Sequence, residues 1–392
     1  DYLNLTLPNA HGGVYKWTYS FWVKRSVLGT NQIIAGTRNS GTYYSQIKFT
    51  SNDDFEVNDY RTSYKLQKIT DRKFRDTSAW YHIVVSSDNS VSSPEAEIYV
   101  NGVKETSFST TNEYSQNEST SFNNSYPNYI GQKGTGDYFD GYICEMIFVD
   151  GQALDHTSFG KFNPVTNIWE PIAYTGTYGG NGFKLNFSDS SNLGDDTSGN
   201  GNDFTVNNLT SIDQSTDTPS NNFCTLNYLD SGTITFSDGN LTAVSESDYH
   251  ATKGTIGVNT GKWYFEAKIN TPAGGSTVDN FIGITGDNTG VTGTTYDNNP
   301  SVLYTGSGTI DKDGTEVQSS LTTFSTGTIV GVALNMDDSE IEFYINGSKQ
   351  GSTQSISSFT GFYLPFYIGA NDRSASFNFG APPYTISSGN AD

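Results

Sequence analysis

One eight-residue pattern occurs twice and limits what this chain can fold into. Residues 97–104 read E-I-Y-V-N-G-V-K and residues 342–349 read E-F-Y-I-N-G-S-K. Each alternates apolar and polar side chains, which is the period of a half-buried strand, and each runs into Asn-Gly. Asn-Gly is the strongest short hairpin signal, because both central residues of a type I′ turn need positive φ. Each copy follows an apolar strand, at 82–85 or 330–334, and precedes a Tyr-Ile-Gly, at 129–131 or 367–369. Upstream, Trp17 opens W-T-Y-S-F-W-V and Trp263 opens W-Y-F-E-A-K-I. The pieces keep one order in both halves, so the chain reads as all-β: two tandem antiparallel β-sandwiches.

Length and composition agree. The 392 residues suffice for two or three domains, each with its own core. With 41 glycines, 14% aromatics and no long Leu, Ala, Glu or Lys runs, helix should stay below about a tenth of the chain, against the usual third. The 42 acidic and 21 basic residues leave a net charge of −21, which excludes the phosphate backbone of nucleic acid as a partner. No apolar run reaches the length of a spanning helix, so membrane insertion is not expected. No basic-plus-apolar signal segment opens the chain, and its first residue, Asp1, suggests a processed or partial chain. Cys144 lies in an apolar strand and is expected to be buried; Cys224 lies in a polar stretch, and two such thiols make no disulfide framework.

Three segments are expected: a sandwich over 1–154, an ordered Asn/Asp/Gly-rich connector over 155–215 that packs on one or both sandwiches, and a second sandwich over 216–392. Alternation puts Trp17, Tyr19, Phe21 and Val23 on one strand face. Trp17, Phe21, Trp80, Trp263, Phe265 and Phe343 are expected in the cores. Residues 46–49 and 54–57 read as a hairpin. The basic run at 65–74 reads as a solvated edge strand whose lysines discourage pairing. Residues 112–128, rich in Ser and Asn, read as a long surface loop. A short helix can start at 155–159.

Little in the sequence carries covalent chemistry. The histidines, at 11, 82, 156 and 250, sit in no motif with Ser or Cys, and His82 reads as a packed, hydrogen-bonded strand residue. Asp338, Glu340 and Glu342 share a strand face, as a glycosidase's carboxylates would, but the rest of such a motif is missing. A Ca²⁺ site is more plausible. Asp196, Ser198, Asn200, Asn202 and Asp203 offer oxygens on a glycine-punctuated loop, as do Asn52, Asp53 and Asp54, against the alternative that Asn and Asp simply accept turn geometry there. For recognition, end loops of sandwiches are the usual place. Tyr296, Asp297 and Asn299, with Tyr304 just beyond and Arg373 on a second loop, are the expected ligand-binding set: Tyr gives a flat face and a hydroxyl, Asp and Asn give hydrogen bonds.

The first half resembles the laminin-G-like, concanavalin-type jelly roll. The resemblance rests on residues 19–23, 80–85, 98–102, 129–131 and 139–143, in that family's order. It implies two curved sheets and a ligand site on loops or a concave face, in a family that binds more often than it catalyses. Residues 261–267, 282–284, 331–335, 341–347 and 377–380 resemble a SPRY domain, which implies a β-sandwich whose loops meet a partner, usually a protein, without catalysis. Asn335 stands where that family often has Asp, which puts one turn in question. The tandem arrangement and the D-T-S-G-N-G-N-D connector also resemble bacteriophage virion proteins. That resemblance implies a non-catalytic fibre or tail component, located on a virion or extracellularly, homo-oligomeric, contacting other virion proteins and a host-surface glycan or protein. The alternatives are a capsid decoration or head-fibre protein, or a secreted carbohydrate-active enzyme.

Overall fold

The computed structural model describes residues 1–7, 15–134, 136–246, 248–270, 279–287, 300–356 and 361–381. Its contacts divide the chain into two compact units, 1–222 and 223–392. Among the described residues, helix is confined to two three-residue 3-10 turns, His156–Ser158 and Ser211–Asp213. Asp155 caps the first by accepting from the Thr157 N–H.

The first unit is a sandwich of an eight-stranded and a six-stranded antiparallel sheet. The larger runs Phe108–Asn112, Tyr64–Lys73, Asp54–Arg61, Tyr43–Phe49, Gln32–Ser40, Pro127–Ile130, Tyr2–Thr6, Thr205–Asn207. The smaller runs Phe183–Leu185, Gly141–Asp150, Lys16–Arg25, Tyr81–Asp88, Ala96–Val100, Val103–Lys104. Trp17, Tyr19, Phe21 and Val23 meet Ile47, Phe49, Phe55 and Val57 of the facing sheet in one core, as the alternation requires. The stretch at 155–215 adds to this unit: Phe183–Leu185 and Thr205–Asn207 extend its two sheets.

The second unit packs two seven-stranded antiparallel sheets. One runs Leu226–Ser231, His250–Gly254, Tyr363–Gly369, Asn280–Gly286, Ser301–Thr305, Ile310–Lys312, Thr315–Gln318. The other runs Ile234–Ser237, Thr242–Ser245, Ser374–Asn378, Lys262–Ile269, Ile329–Asn335, Glu340–Ile345, Ser348–Ser355. Phe265, Ile282, Val332 and Phe343 lie in its core.

The duplicated octapeptide has a physical cause. Asn101 and Gly102 take φ of 48° and 77°; Asn346 and Gly347 take 48° and 80°. The Glu97 carboxylate accepts from the Tyr99 hydroxyl (2.6 Å) and the Lys104 ammonium (2.7 Å). Glu342 accepts from Tyr344 (2.7 Å) and Lys349 (2.5 Å) in the same way. Residues two apart on a strand share a face, and the turn returns the lysine to that face. The Asn side chains close the neighbouring strand: Asn101 Oδ1 accepts from the His82 N–H and Asn346 Oδ1 from the Ile329 N–H.

Four expectations need correction. Trp263 is 52% exposed, because it sits at the first end of its strand and its indole turns back to donate to the Thr260 carbonyl at 2.7 Å. The basic run at 65–74 lies on an interior strand, with Phe108–Asn112 outside it; Lys68 is buried, ion-paired to Glu113 at 2.9 Å and set over the Phe108 ring. Residues 112–128 are not simply surface loop. Phe122 enters the core, and the buried Asp59 carboxylate gathers the Tyr114 hydroxyl and the N–H and hydroxyl of Ser121. Cys144 is half-buried, whereas Cys224 is buried, and both are free thiols. The turn at Asn335 is intact: its amide donates to Asp338 Oδ2 and accepts from the Asp338 N–H.

Candidate functional site

The outer face of the eight-stranded sheet carries polar and aromatic side chains in register. Gln67, Asn58, Gln46, Gly36 and Tyr129 are direct cross-strand partners, so the side chains of the four other than Gly36 point to one face. Residues two along on the same strands, Tyr60 and Tyr44, pair with one another and extend that face. The Tyr44 and Tyr60 rings stack, with centroids 5.2 Å apart and planes at 20°. Tyr64 meets Tyr60 edge-on at 5.0 Å, and Lys133 lies 5.3 Å over the Tyr44 ring.

Beside the tyrosines a hydrogen-bond network is wired from one carboxylate. Glu56 accepts from Asn58 Nδ2 (2.9 Å), Gln67 Nε2 (2.9 Å) and Lys48 Nζ (3.0 Å). A carboxylate facing these donors fixes which end of the Asn58 amide turns toward it. Asn58 Nδ2 then also reaches Gln46 Oε1 at 3.3 Å, which fixes the Gln46 amide in turn. Two atoms are left over: Gln46 Nε2, a donor, and Asn58 Oδ1, an acceptor, both buried with no partner among the described residues. Gln46 is 2% and Asn58 1% exposed, so these are costly groups to leave unpaired. Burial first, then the Tyr64 and Tyr60 hydroxyls and Glu56, push the Tyr44 phenol up to about 12, so it stays a neutral donor. This is a surface of flat rings beside fixed amides, suited to a ligand that stacks and also both donates and accepts.

Residues 1–157 match the family model of the concanavalin A-like lectin/glucanases superfamily, and residues 262–382 match that of the SPRY domain. The chain joins a concanavalin-like domain to a SPRY domain. Among similar solved structures is the SPRY domain of human HERC1, 14% identical, covering 40% of this chain and 98% of that one, with a TM-score of 0.35. The TRIM65 PSpry domain is 12% identical, covering 40% and 92%, with a TM-score of 0.33. No curated protein matches the chain.

The expected site residues fare unevenly. In the SPRY domain, Tyr296, Asp297 and Asn299 lie outside the described residues. Tyr304 does not line a surface: it is buried, stacked on Phe324, with its hydroxyl donating to the Thr322 carbonyl at 2.7 Å. It lies on the strand Ser301–Thr305, whose alternation points it into the core rather than toward a recognition surface. Arg373 is also buried, paired with Asp279 at 3.0 Å.

The 196–203 loop is knit by its own side chains. Asp196 accepts from the N–H groups of Lys184, Ser198 and Asn202, and its Oδ2 takes the Ser198 hydroxyl. Asp203 accepts from the Asp196 N–H, while Asn200 and Asn202 donate to carbonyls of the 179–182 segment. The Asn52, Asp53 and Asp54 cluster is likewise engaged: Asp53 meets Arg25 and Arg75 at 3.2 Å each, and Asp54 meets Lys73 at 2.8 Å. Among the described residues no group of His, Cys, Asp and Glu is arranged to hold a metal ion. In both clusters the carboxylates are engaged by groups of the chain itself.

On the strand Glu340–Ile345, the Lys349 and Thr353 hydrogen bonds outweigh burial, and with Tyr344 they lower the Glu342 carboxyl to about 2. A glycosidase's general acid needs the opposite shift. The tyrosine face itself was not foreseen. Its signal was the alternation Y-S-Q-I-K in 44–48 and E-V-N-D-Y in 56–60, in which every second residue carries a ring, amide or charge.

Proposed function

We propose that the chain is a non-catalytic adhesion protein whose concanavalin-like domain holds a hydroxyl-rich ligand, a glycan, along the tyrosine face. The carrying observation is the unpartnered donor on Gln46 and acceptor on Asn58 beside the stacked Tyr44 and Tyr60. Once the side chains covering these two atoms shift, a sugar hydroxyl can accept from one and donate to the other, while the C–H face of its ring lies on a phenol. The acidic chain favours a neutral or cationic ligand over an anionic one. We place the SPRY domain as a second contact, toward protein, through the Tyr296, Asp297 and Asn299 stretch. The setting we propose is a virion fibre or tail, or another extracellular surface. A homo-oligomer there would multiply a weak face by avidity.

The test is a glycan array with the whole chain, then the best neutral oligosaccharide titrated against Tyr60→Ala and Asn58→Ala. Removing a buried contact of this kind costs about 1–2 kcal/mol, so affinity should fall roughly 5- to 30-fold. Unchanged affinity in both folded variants would place the glycan elsewhere. An array without a signal would remove the glycan reading.

A further inference from the structure

A cavity of about 300 Å³ lies on the outer face of the six-stranded sheet in the first unit. Cys144, Trp22 and His82 are cross-strand neighbours on its floor, with Ser20 two residues along from Trp22. Phe159, residues 171–173 and residues 218–220 wall it in. The 218–220 wall is pinned by its neighbour Asp217, whose buried carboxylate accepts from Lys24 Nζ at 2.7 Å and Trp80 Nε1 at 2.8 Å.

The polar group in this floor is oriented by elimination. An indole N–H only donates, so Trp169 Nε1, 2.9 Å from His82 Nδ1, makes that nitrogen an acceptor. The proton of the neutral ring is then on Nε2, which faces Ser20 Oγ at 2.9 Å. Burial first, and His156 beside it, lower the His82 pKa to about 3, so the neutral ring persists. Ser20 is thus the acceptor of this bond. Its own hydroxyl proton is unspent among the described residues, on a side chain only 2% exposed that lines the cavity. This polarity is the reverse of a nucleophilic pair, where a bare imidazole nitrogen must take the serine proton. What it makes is a hydrogen-bond donor, strengthened by the relay from Trp169.

The rest of the lining is close to neutral. Trp22, Phe159, Pro171, Ile172, Ala173 and Pro219 are apolar walls. The charges in the lining, Glu145 and Lys184, pair with each other at 3.0 Å. Burial, then Glu145, push the Cys144 thiol up to about 12, so it stays protonated and unreactive. Glu145 itself sits at a φ of 49° on the bulge between Cys144 and Ile147, which turns the strand at the cavity floor.

We propose that this cavity is a second ligand site, distinct from the tyrosine face. It takes an uncharged ligand of one compact, largely apolar ring bearing a carbonyl or ether oxygen, and the Ser20 hydroxyl donates to that oxygen. The volume is at the small end of ligand pockets, which limits the occupant to about one ring and its substituent.

The experiment uses the whole chain and three small probes followed by ligand-observed NMR: acetanilide, ethylbenzene, which lacks the acceptor, and benzoate, which is charged. Acetanilide is expected to bind at least tenfold more tightly than the other two. Ser20→Ala should remove that preference, Ala173→Trp should fill the site and abolish binding, and Tyr60→Ala should change nothing. Equal binding of acetanilide and ethylbenzene, a preference that survives Ser20→Ala in a folded protein, or no binding of acetanilide at all would overturn the proposal. Since Tyr60 belongs to the other face, failure here leaves the glycan reading standing, and the reverse.

Discussion

Removing the Asp217 side chain tests how the 210s are held to the concanavalin-like domain. Lys24 and Asp217 side chains are each only 1% exposed and meet at 2.7 Å. Lys24 also donates to Asn222 Oδ1 at 2.8 Å and lies over the Tyr142 ring, so Asp217→Ala leaves an ammonium with neutral partners in a buried place. The same change orphans the Trp80 indole N–H. Breaking one side of a buried pair costs about 3–5 kcal/mol, since the remaining charge keeps its desolvation penalty. For a unit of this size each kcal/mol moves the midpoint by about 2–4 °C, so its thermal transition should drop by roughly 6–20 °C. The double variant Lys24→Met, Asp217→Ala should recover most of that loss, because no buried charge is left uncompensated. Calorimetry on the whole chain measures both, and limited proteolysis should show new cleavage near 215–222 in the single variant alone. A single variant within 0.5 kcal/mol of the parent, or a double variant no more stable than the single, would refute the reasoning.

Further outcomes follow from burial and charge. Phe265→Ala should cost about 3–5 kcal/mol in chemical denaturation, while Trp263→Ala, at an exposed strand end, should stay below about 1 kcal/mol. The Glu342 carboxyl is lowered to about 2 in the folded chain, so its contribution to stability is full above the ordinary carboxylate range and is lost as pH falls toward 2. A pH–stability series should show Glu342→Gln flattening that acid limb; an unchanged limb would contradict the assignment. His82 acts in the same direction at higher pH: its folded pKa, about 3, lies below the unfolded value, so stability falls as pH drops below about 6.5. Nitrogen NMR should find it neutral with the proton on Nε2 at pH 5, and a charged ring there would sink both this prediction and the orientation of Ser20.

The sequence by itself determined the strands and where many of them turn. Alternation in 17–23 selects Trp17, Tyr19, Phe21 and Val23 for the core because a strand has only two faces, and Asn-Gly fixes a turn through the φ of two adjacent residues. Such signals are complete within a few residues, which is why the duplicated sandwich plan was legible. What covers the second face of a strand is not local. Trp22 and His82 are covered only because the chain returns over them with Trp169 and Asp217, and nothing near them in sequence names those partners. The Lys24 to Asp217 bond spans 193 residues, and Tyr304, expected to line a recognition surface, is buried because its strand lies inside the SPRY sheet. The tyrosine face likewise exists only once four strands align Gln67, Asn58, Gln46 and Gly36 in one row. Register across strands is set by the packing of whole sheets, and no single stretch of sequence carries it. Only the tertiary structure could therefore decide which polar side chains were left with a donor or acceptor to offer a ligand.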